Sequence, residues 1–252
     1  MIQERAAKAI SDSSVPVAAQ LYIATAIVAG LPLFAFSLYR ALTVSDPRWL
    51  YLAALTVAGS CFAVKIPLMK RSADQSLSIT VSDVFIFAAL FFFGPAPAVV
   101  VAVIEGLVSS YRVKVKRLYK RAFNISQLAL AAFVTAQVFQ RMQAANLNGR
   151  GAPNLPLLLV EAALCAVLYF LLNTAMVCAA ISLATAQPFA DLWRRNILWF
   201  SVANIVNEAT AAAIFVYFTP ANFSVVLAII PLALVFYYAR HVNLSRQQPA
   251  SN

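Results

Sequence analysis

The sequence predicts an all-α, polytopic membrane bundle of about eight transmembrane helices. Three observations predict it. Hydrophobic residues make up 62% of the chain and charged residues only 11%, against roughly 25% charged in soluble domains; mean hydropathy is +0.80. A soluble fold could not bury this much apolar surface. The apolar residues fall in successive runs close to the ~20 residues that a spanning helix needs. Fifteen of the nineteen Lys and Arg residues lie in alternate intervals between those runs, the bias that sets topology in a multi-pass protein.

The first span runs from about Pro16 to Tyr39, with Pro32 as an expected kink, and the second from about Trp49 to Leu68. A third apolar run, LSITVSDVFIFAALFFF, meets Gly94-Pro95-Ala96-Pro97 and continues as AVVVAVIEGLVSSY. Proline cannot sit quietly inside a helix, so this reads as two short helices joined by a tight turn. The fifth helix is expected over Ala122 to Gln140, the sixth over Leu155 to Leu183, and the seventh over Ile197 to Phe218. The eighth, over Phe223 to Arg240, follows the turn Thr219-Pro220-Ala221.

Charge counting tests this division. With eight spans, 15 positive residues lie on the side of the N-terminus and 4 (Arg40, Arg48, Arg141, Arg150) on the other; fusing residues 78–111 into one helix gives seven spans and a split of 7 to 12. The stronger asymmetry favours eight spans with both ends cytoplasmic. The expected organisation is a cytoplasmic segment 1–14, one transmembrane domain 15–241 and a cytoplasmic tail 242–252. No signal-peptide pattern precedes the first span, so the chain is expected to keep Met1. The localisation this implies is the inner (plasma) membrane of a bacterium. The third span is short, so the third and fourth could instead form a shallower hairpin.

Cys61, Cys165 and Cys178 all fall within apolar runs and read as small core residues, and the sole histidine, His241, lies at a helix end. Neither a metal site nor a cofactor is expected. There is no Gly-x-Ser-x-Gly, phosphate-binding glycine loop, His-Glu-x-x-His or Cys-x-x-Cys, and the chain is read as non-enzymatic.

The candidate site residues are the polar groups stranded in apolar runs. A carboxylate at bilayer depth costs on the order of 2.5–3.5 kcal/mol and usually faces a bundle interior. Ser82 and Asp83 begin one short helix; Glu105 lies in the next, which runs back antiparallel. Counted from the turn, the depths of Asp83 and Glu105 differ by roughly 3 Å at 1.5 Å per residue. The pair could therefore form a pocket for a cation, a proton or an amine. The blander alternative pairs Asp83 with Lys65 or a loop arginine. Asn124 and Gln127 share one face of the fifth helix and either extend this pocket or join helices by hydrogen bonds. Asn204, Asn207 and Glu208 form a second polar stripe, with Glu161 and Asn173 as candidate partners on the sixth helix; the stripe either lines a cavity or holds the helices together. The run Arg112-Val-Lys114-Val-Lys116-Arg117-Leu-Tyr-Lys120-Arg121 reads first as a topology determinant resting on anionic lipid. Its sharper reading is a dock for a cytoplasmic partner. No further element points to nucleic acid.

The order of features over residues 77–127 resembles bacterial membrane-associated multi-helix sensor domains. A Ser-Asp helix closes on Phe-Gly-Pro, a small-residue helix carries Glu-Gly, and a basic loop leads into Phe-Asn-x-x-Gln. Such modules often precede cyclic-di-GMP enzymes. A weaker similarity is to the substrate-binding components of energy-coupling-factor transporters. On the first resemblance, Asp83, Glu105, Asn124 and Gln127 match the polar positions of the pattern, and the module would sense a small-molecule ligand and act on a cytoplasmic signalling partner. On the second, it would carry a small molecule with transporter ATPase subunits. A lipid-modifying membrane enzyme is the remaining alternative. No cyclase or phosphodiesterase domain follows Arg240 in this sequence, so a separate output partner is expected.

Overall fold

The computed structural model describes residues 15–61, 63–67, 76–80, 82–112, 115, 117–147 and 155–194. The expected seventh and eighth helices, and with them Asn204, Asn207 and Glu208, lie outside these residues, as do Lys114 and Lys116.

Helix α1, Val17–Thr43, holds 27 residues with Pro32 inside it, about 40 Å at 1.5 Å per residue. Its buried positions are Ala19, Ala26, Gly30, Ser37 and Ala41, a narrow stripe at alternating intervals of seven and four. Val17, Leu21, Val28, Phe36 and Leu42 point outward and are exposed. A helix with a thin, small-residue seam and an apolar exterior is suited to lipid. After it, Asp46 and Arg48 form an exposed ion pair of 2.6 Å. Hydrogen bonds from the Arg48 side chain and backbone hold the Asp46 carboxyl below its ordinary range.

Helix α2, Trp49–Cys61, has 13 residues, about 20 Å, and is anchored by Trp49 Nε1 donating to the Ala41 carbonyl at 3.1 Å. This corrects the expected span from Trp49 to Leu68. The chain leaves the helix after Cys61 and forms β1, Ala63–Pro67, which pairs antiparallel with β2, Ser76–Thr80. The register sets Val64 against Ile79 and Ile66 against Leu77. The second segment, SLSIT, alternates polar and apolar residues strictly; this period of two belongs to a strand rather than a helix. The third expected helix accordingly starts at Ser82 and not before it.

Helix α3, Ser82–Phe93, is short and buried from Val84 through Phe91, as expected of a helix apolar on every side. Gly94 then turns the chain at φ +89°, a conformation that glycine adopts without penalty. Its N–H caps the Leu90 carbonyl at 3.0 Å, and its own carbonyl accepts from Ala98 N–H at 3.3 Å. Pro95 opens helix α4, Pro95–Arg112, where a missing N–H costs nothing. The Gly-Pro break therefore does what the sequence predicts.

Helix α5, Leu118–Leu147, has 30 residues and α6, Leu155–Thr185, has 31. The former outruns the expected Ala122–Gln140 at both ends. Helix α4 lies at the centre, packed against α1, α2, α3 and α5, and α5 also meets α1 and α6. Phe87 of α3 meets Tyr169 of α6 edge-on with ring centroids 5.6 Å apart, and Phe91 meets Phe139 of α5 at 5.1 Å. Cys165 and Cys178 are buried free thiols in α6. Among the described residues three helices are long and apolar enough to cross a membrane, over Val17–Thr43, Leu118–Ala145 and Val160–Thr185.

Candidate functional site

The antiparallel return of α4 on α3 brings Ser82 to Glu105. Ser82, fully buried, donates its hydroxyl to Glu105 Oε1 at 2.8 Å. The adjacent Asp83 lies close enough for its carboxyl to act directly on that of Glu105. The matched depths expected for the two acids are thus realised by contact between the two helices.

Helix α5 closes the other side. Gly106 lets it approach: a Cβ there would stand 2.6 Å from Leu128 Cδ1. Asn124 Nδ2 donates to the Gly106 carbonyl at 3.1 Å and to Ser110 Oγ at 3.0 Å. Gln127 Nε2 points to Asn124 Oδ1 at 3.5 Å. Asn124 and Gln127 therefore act on one seam, as their spacing implies, and Ser110, a residue the sequence reading did not single out, belongs with them. Its signal was its position four residues after Gly106, on the same face of α4.

Two acceptor atoms of this cluster have no donor. Glu105 Oε2 and Gln127 Oε1 are both sealed from solvent and make no hydrogen bond. The orientation of the Gln127 amide is fixed by the network. The Gly106 carbonyl can only accept, so it must face the Asn124 NH₂; Asn124 then offers its oxygen to the Gln127 NH₂, which leaves the Gln127 oxygen turned away from it. A buried acceptor without a donor forfeits about 1–3 kcal/mol, and at Glu105 the neighbouring Asp83 carboxyl is placed to share a proton with it.

Arg112 closes the site toward the basic run. Its Nη1 donates to the Ser60 carbonyl at the end of α2 at 2.7 Å, and its charge also acts on the Glu105 carboxyl. Arg121 donates through Nε to the Val115 carbonyl at 2.7 Å and lies over the Tyr111 ring, 4.7 Å from its centroid. Of the six basic residues, Arg112 thus also ties α4 to α2, and Arg121 organises the link between α4 and α5. Arg117 is exposed and Lys120 half-buried.

Glu161 lies elsewhere. It is buried and accepts from Gln143 Nε2 of α5 at 2.5 Å. Asn173 is half-buried on the same helix, twelve residues and about 18 Å further along. The structure joins Glu161 to α5; the stripe of Asn204, Asn207 and Glu208 that the two residues were expected to partner lies outside the described residues. Gln143 was missed because nothing in its local sequence sets it apart from other polar residues near a helix end.

A bundle of apolar helices around a buried, hydrogen-bonded polar seam defines a membrane-embedded helical module. The MASE9 family model matches residues 32–245. The chain belongs to this family of membrane-associated sensor domains. No curated protein and no solved structure matches it.

Proposed function

We propose that the protein is a sensory module of the bacterial inner membrane whose detecting centre is the cluster of Ser82, Asp83, Glu105, Asn124 and Gln127. Family membership supports the sensory role. The observation that carries the assignment of the centre is the pair of buried acceptors without hydrogen bonds, Glu105 Oε2 and Gln127 Oε1, on the neighbouring helices α4 and α5 that Asn124 joins. A small cationic or donor-bearing ligand would complete that network. Ligand arrival would alter how α3, α4 and α5 hold together, and α4 and α5 flank the basic run. In this reading Arg112, Lys114, Lys116, Arg117, Lys120 and Arg121 rest on anionic lipid, each contributing roughly 1 kcal/mol, and stand where a cytoplasmic partner could dock.

The reading includes eight spans with both ends cytoplasmic, supported by the distribution of Lys and Arg. It assigns no catalytic role to any residue. The transport and lipid-enzyme alternatives draw no support from the comparisons. The test is a thermal-shift screen of cations, amines and small metabolites on the purified protein in lipid nanodiscs, run beside Asp83→Asn and Glu105→Gln. A compound that stabilises the parent and neither variant supports the assignment. A stabilising compound that treats all three alike would remove the site from this cluster.

A further inference from the structure

The two oxygens of Glu105 are served differently. The Ser82 hydroxyl carries a single proton and gives it to Oε1. Oε2 is sealed from solvent and receives no N–H or O–H among the described residues. In hydrogen-bonding contact with the Glu105 carboxyl stands the carboxyl of Asp83. Ionised carboxylates only accept, so two of them bond only through a proton that one of them keeps. Without it the like charges repel, and the ionised form of one is disfavoured. Packing keeps the contact from opening. Asp83 follows Ser82 in the first turn of α3, and Ser82 is bound to Glu105. Helix α2 covers that turn: a Cβ at Gly59 would stand 3.9 Å from Ser82 Cα and 3.0 Å from the Phe85 ring. One proton also balances the charge. It leaves the pair with a single negative charge, which the positive charge of Arg112, acting on Glu105, offsets.

We propose that Asp83 and Glu105 form a one-proton binding site, and that the proton is the ligand of the detecting centre. This rests on reading the cluster as that centre and names what it binds. The charged groups acting on Glu105 are Asp83 of α3 and Arg112 of α4. Of the elements packed on α4, α2 carries no charged residue; its titratable residues are Tyr51, which is exposed, and Cys61 at its end. Helix α1 brings Tyr22, whose hydroxyl is committed to the Met176 carbonyl, and Tyr39 and Arg40 near its end. Helix α5 brings Tyr119, Lys120 and Arg121 at its start, the last held by Val115 and Tyr111, and Arg141 near its other end. Unfolded, both acids release their protons at about pH 4. Folded, the pair keeps one at neutral pH. The folded state then binds the larger number of protons, so stability falls as pH rises above about 4. The fall is up to tenfold per pH unit in the folding constant, until the pair ionises completely.

The experiment is infrared difference spectroscopy of the full chain in nanodiscs of zwitterionic lipid, read at the carbonyl stretch of a protonated carboxyl. Melting temperature is followed in parallel between pH 5 and 9. The parent is compared with Asp83→Asn and Glu105→Gln, whose amides offer an N–H where the shared proton stood. The expected result is a protonated-carboxyl band in the parent at neutral pH that both variants lack. As pH rises the band should fade and the melting temperature fall, and both variants should flatten that fall. Glu161→Gln, which removes a buried carboxyl of α6, and Asp46→Asn, an exposed acid, should keep the titrating band. If neither amide variant folds, Ser82→Ala decides. It keeps both acids and removes the hydroxyl on Oε1, so the band should shift in frequency; an unmoved band would overturn the proposal. No protonated-carboxyl band at neutral pH, or a band that both amide variants retain, would also overturn it and leave water on Oε2. A metabolite that stabilises the parent and neither variant, with no such band, would end this inference while leaving the sensory centre standing. A fluorophore at Arg117→Cys, in a background lacking the native cysteines, reports whether the basic run follows the pair. A titrating band with an unresponsive fluorophore would support the shared proton and end the sensory reading instead.

Discussion

Ser82 and Glu105 are 23 residues apart in sequence and share one hydrogen bond of 2.8 Å, donated by the serine hydroxyl. That bond ties the first turn of α3 to the middle of α4, next to Asp83. It is the point at which the Gly94 turn, a backbone feature, becomes a polar centre.

Removing this donor should be felt in stability. Ser82→Ala leaves Glu105 Oε1 without its hydroxyl in a buried place, at a cost of about 1–3 kcal/mol. Equilibrium unfolding of the purified protein in mixed micelles would measure it. A change within a few tenths of a kcal/mol would show that water reaches the carboxyl and that the cluster is not sealed.

Three glycines should rank by what an added methyl meets. At Gly30 a Cβ would stand 2.5 Å from Ser126 Cβ and 2.6 Å from Ser126 Cα and its carbonyl oxygen. Backbone cannot step aside, so Gly30→Ala should cost about 1–3 kcal/mol or more and loosen α1 from α5. Gly94→Ala meets nothing within 4 Å but must hold φ +89°, at roughly 1–2 kcal/mol. Gly106→Ala meets the end of a movable leucine side chain and should be mildest. Thermal melts of the three variants would check the order.

The pair Gln143–Glu161 should separate stability from sensing. Gln143 lies sixteen residues beyond Gln127 on α5, about 24 Å along the helix. Gln143→Leu removes a donor to a buried carboxyl, so a loss of about 1–3 kcal/mol is expected. The response to ligands that stabilise the parent should be unchanged. A shifted ligand titration would show that the two polar groups are coupled along the bundle.

Topology can be read with single cysteines in a background lacking the three native ones. Asp46→Cys, beyond the C-terminal end of α1, should react with an impermeant maleimide from outside the cell. Arg117→Cys should react only after the membrane is permeabilised. The same pattern at both positions would remove the eight-span arrangement.

Much of the architecture was legible before any coordinates. The boundaries of α6 and the start of α1 lie within two residues of those expected, because long apolar runs leave a helix little choice in lipid. The Gly94-Pro95 break was equally plain, since both residues act locally. The ribbon of Ala63–Pro67 and Ser76–Thr80 was misjudged. Summed hydropathy cannot tell an apolar helix end from a strand, and the alternation in SLSIT, which can, was outweighed by the apolar runs on either side. The extra turns of α5 carry charged and polar residues that an apolar count discards.

For the site, the carboxyls and amides announced themselves by standing in apolar surroundings. Their partners did not. Glu161 was set beside the polar stripe of the expected seventh helix, which lies outside the described residues, and Gln143 of α5, which it meets, was not foreseen; Arg112 was read with the basic run as resting on lipid, and it also donates to the end of α2.

What the sequence by itself determined is the solvent: a chain this apolar must be a membrane-embedded helical bundle, and any carboxyl inside it must be hidden, because transfer energies add residue by residue whatever the fold. What only the tertiary structure decided is which polar group meets which. Hydrogen bonds between helices depend on the turn at Gly94, the close approach at Gly30 and Gly106, and the rotation of each helix, and those are settled by packing among all the helices at once.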